Sequence, residues 1–318
     1  MFMETLYSCC CGLDVHKDTV QACILKGDVH EEPESELRKF STLRNDLMNL
    51  VRWLSDNACT HVAMESTGVY WQPIYEVLEE YGIQIYLVNA RYMKNMPGRK
   101  TDIKDSQWIA DLLRHGLLKA SFVPDKFFRT FREYTRTYKN LSDDRAALVN
   151  RIERFLQSRG FKLSTVLSDI LGVTGRNILK HLVKHGQISL PQIVSLIKGT
   201  TKHSPEEIAL AVNGTLSKEQ RNLLAHHLRH LDSLDELLKN LLKDTCQLIE
   251  PYQKQLNQLT SIPGISDVTA LGLLAEIGVD MSKFASSEHL ASWAGLSPRN
   301  CESAGKKNKR GSCQEIPI

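Results

Sequence analysis

The hydrophobic pattern at the start of the chain predicts a β-hairpin followed by a helix. Residues 7–25 are mainly apolar and strand-favouring, with a polar break at residues 16–18 where the chain is expected to turn. Residues 41–55 carry apolar side chains three and four positions apart, which is the pattern of an amphipathic helix. We expect a cap at Ser41 or Thr42, because a hydroxyl there can accept a hydrogen bond from an unpaired backbone N–H.

Two further strands are predicted on either side of a second helix. Residues 60–64 and 83–88 are short apolar segments, and residues 74–81 have helical spacing after a turn containing Gly68 and Pro73. This alternation of strands and helices predicts an α/β sheet covered by helices. Ligands of such sheets gather at strand ends.

The rest of the chain is predicted to be mainly helical. Residues 102–118 and 127–161 have helical spacing, and a third segment carries leucines that resemble a coiled-coil seam. These leucines are Leu223, Leu224, Leu228, Leu231, Leu234, Leu238, Leu241 and Leu248. The seam predicts either pairing with a partner helix in a homo-oligomer or an intramolecular helical hairpin. Residues 258–278 predict a helix-hairpin-helix whose turn, at Pro263 and Gly264, could offer backbone amides to a phosphate.

The composition is that of an ordinary globular protein and does not by itself indicate a function. Hydrophobic residues make up 42% and charged residues 24% of the 318 residues, a length that suggests two or three domains. The sequence contains no membrane-spanning segment and no signal-peptide pattern, which predicts a cytoplasmic protein with no membrane partner. The eight cysteines lack the spacing of a zinc site, so we expect reduced and mostly buried thiols.

The positive charge is concentrated in one part of the sequence. The net charge is only +3, but residues 91–159 contain 16 Lys and Arg against 8 Asp and Glu, an excess of 16 − 8 = +8. This asymmetry favours a polyanionic partner, although a solvated helix face would have the same pattern.

Four acidic residues stand beside predicted elements, where they could bind a divalent cation. Asp14 lies in the first strand, Glu65 follows the third, and Asp102 and Asp105 are three positions apart near the start of a helix. That spacing puts the last two carboxylates on one face, and carboxylates held together repel unless a cation lies between them. Mg²⁺ or Mn²⁺ suits oxygen ligands, and pairs of such ions promote phosphodiester chemistry. Each acid taken alone is more typical of a solvated residue or a helix cap.

The four acids lie in motifs that resemble a known family, the DEDD transposases of insertion sequences, or IS110 group. The segments that resemble its three motifs in order and spacing are GLDVHKDT at 12–19, MESTG at 64–68 and KTDIKD at 100–105. The amino-terminal domain of that family is similar to the Holliday-junction resolvase RuvC, which implies a ribonuclease-H-like α/β fold. The resemblance also implies that the four acids bind Mg²⁺ or Mn²⁺ and are catalytic.

The resemblance continues near the end of the sequence. SIPGI at 261–265 and AGLSPR at 294–299 are similar to the family's second transposase domain, and CESAGK follows at 301–306. In this family a serine at that position is the nucleophile, and Ser303 is the residue that matches. The expected domains are a RuvC-like metal-binding domain at 1–122, a helical and coiled-coil region at 123–255, and a small, mainly α, partial transposase domain at 256–318.

The resemblance implies RNA-guided DNA recombination. A structured RNA would pair with donor and target DNA while a protein dimer or tetramer cuts and rejoins the strands. Basic residues beside the motifs and on the basic helix are candidate backbone contacts by their charge. With Gly264, the nucleic-acid candidates are Lys17, Arg91, Arg99, Lys100, Lys104, Arg132, Arg136, Arg299, Lys306 and Lys307.

Other interpretations remain open. Family members continue through further helices, whereas this sequence stops 15 residues after Ser303 and its last segment, residues 311–318, does not resemble the family, so we expect an interrupted chain. A catalytically inactive remnant that only binds nucleic acid is one alternative, and a RuvC-like metal-dependent nuclease is another. A sugar kinase or ATPase is disfavoured, because Asp14 is not followed by glycine and the sequence has no Walker-type loop.

Overall fold

The computed structural model describes residues 5–28, 31–89, 93 and 105–296, together with the backbone of residues 302–303 and 306–307. The chain divides into two compact units, Met1–Val123 and Pro124–Ile318. The first unit combines strands and helices, and the second is mainly helical.

A mixed five-stranded sheet forms the centre of the first unit. Its strands are β1 (Cys9–Val15), β2 (Thr19–Lys26), β3 (Glu34–Ser41), β4 (His61–Glu65) and β5 (Gln84–Val88). The strand order is β3-β2-β1-β4-β5, in which β1 to β3 are antiparallel and β1, β4 and β5 are parallel. The hairpin predicted at residues 7–25 is confirmed, and the sheet fits the expected ribonuclease-H-like α/β domain.

Strand β3 is absent from the sequence prediction. Its sequence ESELRKFS is largely polar, and Phe40 is its only buried residue. β3 lies at the edge of the sheet and pairs only with β2, so it needs few apolar side chains. Backbone pairing therefore forms a strand that hydrophobicity does not mark.

Helices cover both faces of this sheet. Helix α1 (Arg44–Asp56) and helix α2 (Trp71–Glu80) share a core with one face. Helix α3 (Asp105–Arg114) packs on the other face. The sheet is therefore a middle layer whose central strands, β1 and β4, are buried on both sides.

The predicted cap of α1 is wrong. Leu43 occupies the cap position and makes no side-chain hydrogen bond to the helix. Instead, the carboxylate of Asp46, inside the first turn, accepts a hydrogen bond from the backbone N–H of Ser41 at 2.6 Å. A carboxylate in the helix thus fixes the entry of the chain, where a hydroxyl before the helix was expected.

Two long helices organise the second unit. Its first helices are α4 (Lys126–Gln157), α5 (Leu163–Val166), α6 (Val173–His185), α7 (Leu190–Leu196), α8 (Pro205–Ala211) and α9 (Lys218–Leu248). Helices α4 and α9 pack along each other, and the short helices that connect them complete one apolar core.

Half of the leucine seam is buried inside this core. Leu224, Leu228, Leu231 and Leu234 of α9 belong to the same cluster as Ile152 of α4. Of the two predicted uses of the seam, the structure shows the intramolecular one for these leucines. A homo-oligomer stays a prediction, and it would need another surface.

The last described part of the chain contains the predicted helix-hairpin-helix. Helix α10 (Gln253–Thr260) and helix α11 (Asp267–Ile277) flank a turn in which Gly264 has a φ of +92°, a conformation that suits glycine. Helix α12 (Ser287–Trp293) follows, and strands β6 (Glu302–Ser303) and β7 (Lys306–Lys307) pair as a short antiparallel hairpin.

No disulfide bond joins the cysteines in the described residues. Cys10, Cys11, Cys23 and Cys59 are buried, which confirms the expectation of reduced and mostly buried thiols for this part of the chain. Among the same residues, none of the helices combines the length and the apolar character needed to cross a membrane.

Candidate active site

Asp14 and Glu65 occupy neighbouring positions at the ends of two parallel strands. The register of β1 and β4 sets Leu13 opposite Met64, and Asp14 and Glu65 are the next residue on each strand. Because side chains alternate across a strand, both carboxylates lie on the face opposite to Leu13 and Met64. That face is the one covered by α3.

Gly12 allows α3 to pack directly against β1. A Cβ atom at Gly12 would lie 2.1 Å from the carbonyl oxygen of Ser106 and 2.4 Å from the backbone nitrogen of Ala110. Only glycine therefore fits at this position without moving the helix. The sequence analysis did not single out Gly12, although a glycine inside an apolar strand often marks a close backbone approach.

Contacts along β1 define the direction of α3. The Cys10 thiol donates to the Ala110 carbonyl at 3.4 Å, and the backbone N–H of Leu6 donates to the Arg114 carbonyl at 2.8 Å. Later positions on the strand thus contact earlier positions on the helix. The first turn of α3, which begins at Asp105, is therefore directed to the ends of β1 and β4 that carry the two carboxylates.

The predicted four-acid site is only partly described. Asp14, Glu65 and Asp105 belong to the described residues, and Asp102 lies outside them. Within the described part of the chain, no group of three or more His, Cys, Asp and Glu residues is arranged to hold a metal ion. The complete cluster therefore stays a prediction, and the register of β1 and β4 is the part of it that the structure describes.

The two strand-end carboxylates have polar neighbours. The Asp14 carboxylate is 26% exposed, and its Oδ2 atom lies 3.2 Å from Nε2 of His16. Glu65 is half-buried, and its Oε1 atom accepts a hydrogen bond from the Thr67 hydroxyl at 3.4 Å. Oxygen ligands that stay in contact with water are those preferred by Mg²⁺ and Mn²⁺. These residues thus fit a divalent cation by their chemistry.

The helix-hairpin-helix turn has an open backbone. A Cβ atom at Gly264 would have no neighbour within 4 Å, and the residues around it are mostly exposed. Ser266 caps α11 by accepting a hydrogen bond from the N–H of Thr269 at 3.2 Å. The start of a helix attracts anions, but Asp267 in the first turn of α11 opposes this attraction. A phosphate contact at Gly264 would therefore depend on the turn's backbone.

Arg132 and Arg136, predicted to contact nucleic acid, contact the end of α11. Arg132 donates from Nε to the Ala275 carbonyl at 3.2 Å and from Nη2 to the Glu276 carbonyl at 2.7 Å. Both arginines also pair with the Glu276 carboxylate. Burial lowers the pKa of Arg132, whose side chain is only 14% exposed. Both arginines thus make contacts within the chain, and their contact with nucleic acid stays a prediction.

The other predicted nucleic-acid contacts are described in part or not at all. Lys17 is exposed in the turn between β1 and β2, where its carbonyl accepts a hydrogen bond from the Thr42 hydroxyl at 2.9 Å. Ser303 pairs with Lys306, and Lys307 with Glu302, in the backbone of the β6–β7 hairpin. The predicted residues that lie outside the described part of the chain are Arg91, Arg99, Lys100, Lys104 and Arg299.

Comparison with protein families assigns both ends of the chain. A transposase family model of the DEDD, IS110 type matches residues 11–159, which include β1, β4 and α3. A second model, described as "Transposase IS116/IS110/IS902 family", matches residues 256–316, which include the helix-hairpin-helix turn. The chain belongs to the IS110 family of transposases. It is accordingly a DNA transposase or recombinase, and DEDD-type transposases depend in general on divalent metal.

Two curated relatives support this assignment over most of the transposase. The pilin gene-inverting proteins of Moraxella bovis and Moraxella lacunata are each 24% identical to it over 310 residues. Each alignment covers 95% of this chain and 76% of the relative. The similarity therefore includes residues from both units.

Proposed function

We propose that this transposase cuts and rejoins DNA strands at a divalent-metal site formed by Asp14, Glu65, Asp102 and Asp105. The proposal is carried by the strand register that makes Asp14 and Glu65 neighbours on the face covered by α3. The antiparallel packing of α3 on β1 adds support, because it directs the first turn of the helix to the same strand ends. A cation with oxygen ligands requires several carboxylates close together, and here segments distant in sequence would bring them to the same strand ends.

At this site the role of the chain is to hold the carboxylates in position. Sheet hydrogen bonds fix the backbone of Asp14 and Glu65, and the contact at Gly12 fixes α3. A bound Mg²⁺ or Mn²⁺ pair supplies activation of the attacking oxygen and charge stabilisation at the phosphate. Rigid elements matter here, because small displacements of the ligands weaken such a site.

Ser303 is the nucleophile in this proposal. Its support is the second family model, whose match includes Ser303, and the family motif that the surrounding residues resemble. The serine hydroxyl would lose its proton and attack a DNA phosphate, forming a phosphodiester between the protein and the strand. The bond from that phosphate to one sugar oxygen would break, and the sugar would leave as a DNA end with a hydroxyl group. A structured guide RNA and a protein dimer or tetramer complete the proposal, on the strength of the family resemblance alone.

The test is cleavage of cognate DNA by the purified full chain with Mg²⁺ and an RNA transcribed from the DNA beside its gene. We expect Asp14→Asn to lower cleavage by about 100-fold or more, because several kcal/mol of charge stabilisation are lost. Asp56→Asn, at the exposed end of α1, is the matched control and should cleave normally. Ser303→Ala should abolish the covalent protein–DNA adduct.

Each alternative function has its own outcome in this experiment. Normal cleavage by Asp14→Asn would contradict the metal site. Cleavage without an adduct in Ser303→Ala would identify a nuclease that uses water in place of the serine. RNA or DNA binding by the wild-type chain without any cleavage would identify a remnant that only binds nucleic acid.

A further inference from the structure

Arginines and histidines gather on one side of the second unit, on helices α4 and α9. The side chains of this group, which is defined below, are exposed except that of His227, which is half-buried. Spacings of three and four residues put the side chains of each helix on one side of it. We call this group the Arg–His band; it consists of Arg151 and Arg154 on α4 and His226, His227, Arg229 and His230 on α9.

One ring contact joins the two helices beside the band, and a second contact joins two members of the band within α9. The rings of Phe155 and His227 lie 6.0 Å apart, and Nη2 of Arg229 lies 3.0 Å from Nδ1 of His226. Burial lowers the pKa of His227, and Arg151 and the other band histidines lower it further. The band is therefore close enough for its cationic groups to repel one another.

The arginines of the band lack acidic partners. Arg151, Arg154 and Arg229 have no carboxylate within the 4.0 Å of an ion pair in the part of the chain that the structure describes. By contrast, Arg145 of α4 pairs with Asp235 of α9 at 2.5 Å, less than two turns from Arg151. Asp235 thus neutralises the charge of Arg145, whereas the positive charges of the band arginines have no such carboxylate among the described residues. An anionic partner would relieve this repulsion.

We propose that the Arg–His band binds the sugar-phosphate backbone of duplex DNA without reading its sequence. Phosphates repeat along the backbone, and a guanidinium can donate two hydrogen bonds to one of them. Arg151 and Arg154, three residues apart on α4, present such donors about 4.5 Å apart along the helix axis. The proposal rests on the proposed function in that it takes DNA as the partner of this family. It does not depend on DNA cleavage at the acidic site.

The test is binding of the full chain to short duplex DNA without divalent metal, across a series of salt concentrations. We expect the double variant Arg151→Gln, Arg229→Gln to bind about tenfold more weakly at low salt. The slope of log Kd against log salt should fall by about 2, because each lost phosphate contact removes about 0.9 from it. The control replaces Lys239 and Lys243, exposed lysines further along α9, with glutamine and should change neither quantity.

Equal behaviour of the two double variants would overturn the proposal. Tighter binding of the wild-type chain to duplex RNA or to polyglutamate than to duplex DNA would also overturn it, because the band would then serve another polyanion. If the first double variant melts early, Arg154→Gln with His230→Gln tests the band with the same expectations. Normal cleavage by Asp14→Asn would contradict the metal site without changing the binding result, because the binding assay contains no divalent metal, so the failure of one proposal can be told from the failure of the other.

Discussion

His181 on α6 is a titratable side chain whose surroundings disfavour a charge. Its Nε2 atom is shielded from solvent and has no hydrogen-bond partner in the described part of the chain. The His185 ring lies 4.4 Å away. Burial, and after it the neighbouring His185, lowers the pKa of His181 below its usual value.

This lowered pKa predicts that acid destabilises the second unit. The unfolded chain binds the proton more readily than the folded one, so stability is complete well above the unfolded pKa of about 6.5 and falls as the pH drops through it. His181→Gln should reduce this loss by at most about 1.4 kcal/mol per pH unit. Urea unfolding at neutral and at mildly acidic pH measures the loss of stability in both proteins. His230→Gln, at an exposed ring, should keep the wild-type loss, and an identical loss in His181→Gln would contradict the explanation.

Arg132 is predicted to stabilise the second unit instead of binding DNA. Replacing it with glutamine leaves two carbonyls without their charged donor and Glu276 with Arg136 as its remaining partner, so we expect a loss of about 2–3 kcal/mol in the free energy of unfolding. Arg154→Gln, on the exposed face of the same helix, should cost little. Unchanged stability of Arg132→Gln combined with weaker DNA binding would restore the role that the sequence suggested.

At the level of elements, the contact between α3 and β1 depends on Gly12. We expect Gly12→Ala to destabilise the first unit by about 2–3 kcal/mol, because the new methyl group meets backbone atoms that cannot rotate away. Gly272→Ala is the control: it lies inside α11 with no neighbour within 4 Å, and alanine should favour the helix by about 0.5–1 kcal/mol. Thermal unfolding of both variants checks this, and equal stabilities would disprove the close contact.

The sequence predicts some elements well because their signals are local. The hairpin of β1 and β2, the helices on either side of Gly264 and the two long helices all follow from the spacing of apolar residues. β3 does not, because an edge strand depends on hydrogen bonds to β2 more than on burial. The cap of α1 also escapes prediction, since Asp46 can replace the expected hydroxyl from inside the helix.

At the scale of the whole molecule, two compact units carry the two kinds of candidate residue. The strand-end carboxylates and Gly12 belong to the first unit, and the helix-hairpin-helix and the Arg–His band belong to the second. The first family model and both relatives match parts of each unit, and the second family model matches the second unit alone. The acidic site and the band can therefore be tested by separate substitutions in the same chain.

The sequence by itself determined the motifs, the main helices and strands, and the family, because these depend on residue order and local spacing. It also identified Asp14, Glu65, Asp102 and Asp105 as candidates, but not which of them meet. Only the tertiary structure decided that Asp14 and Glu65 are neighbours, that Arg132 serves α11 and that the leucine seam lies in the chain's own core. The reason is physical: these contacts join positions far apart in sequence, and only folding brings such positions together.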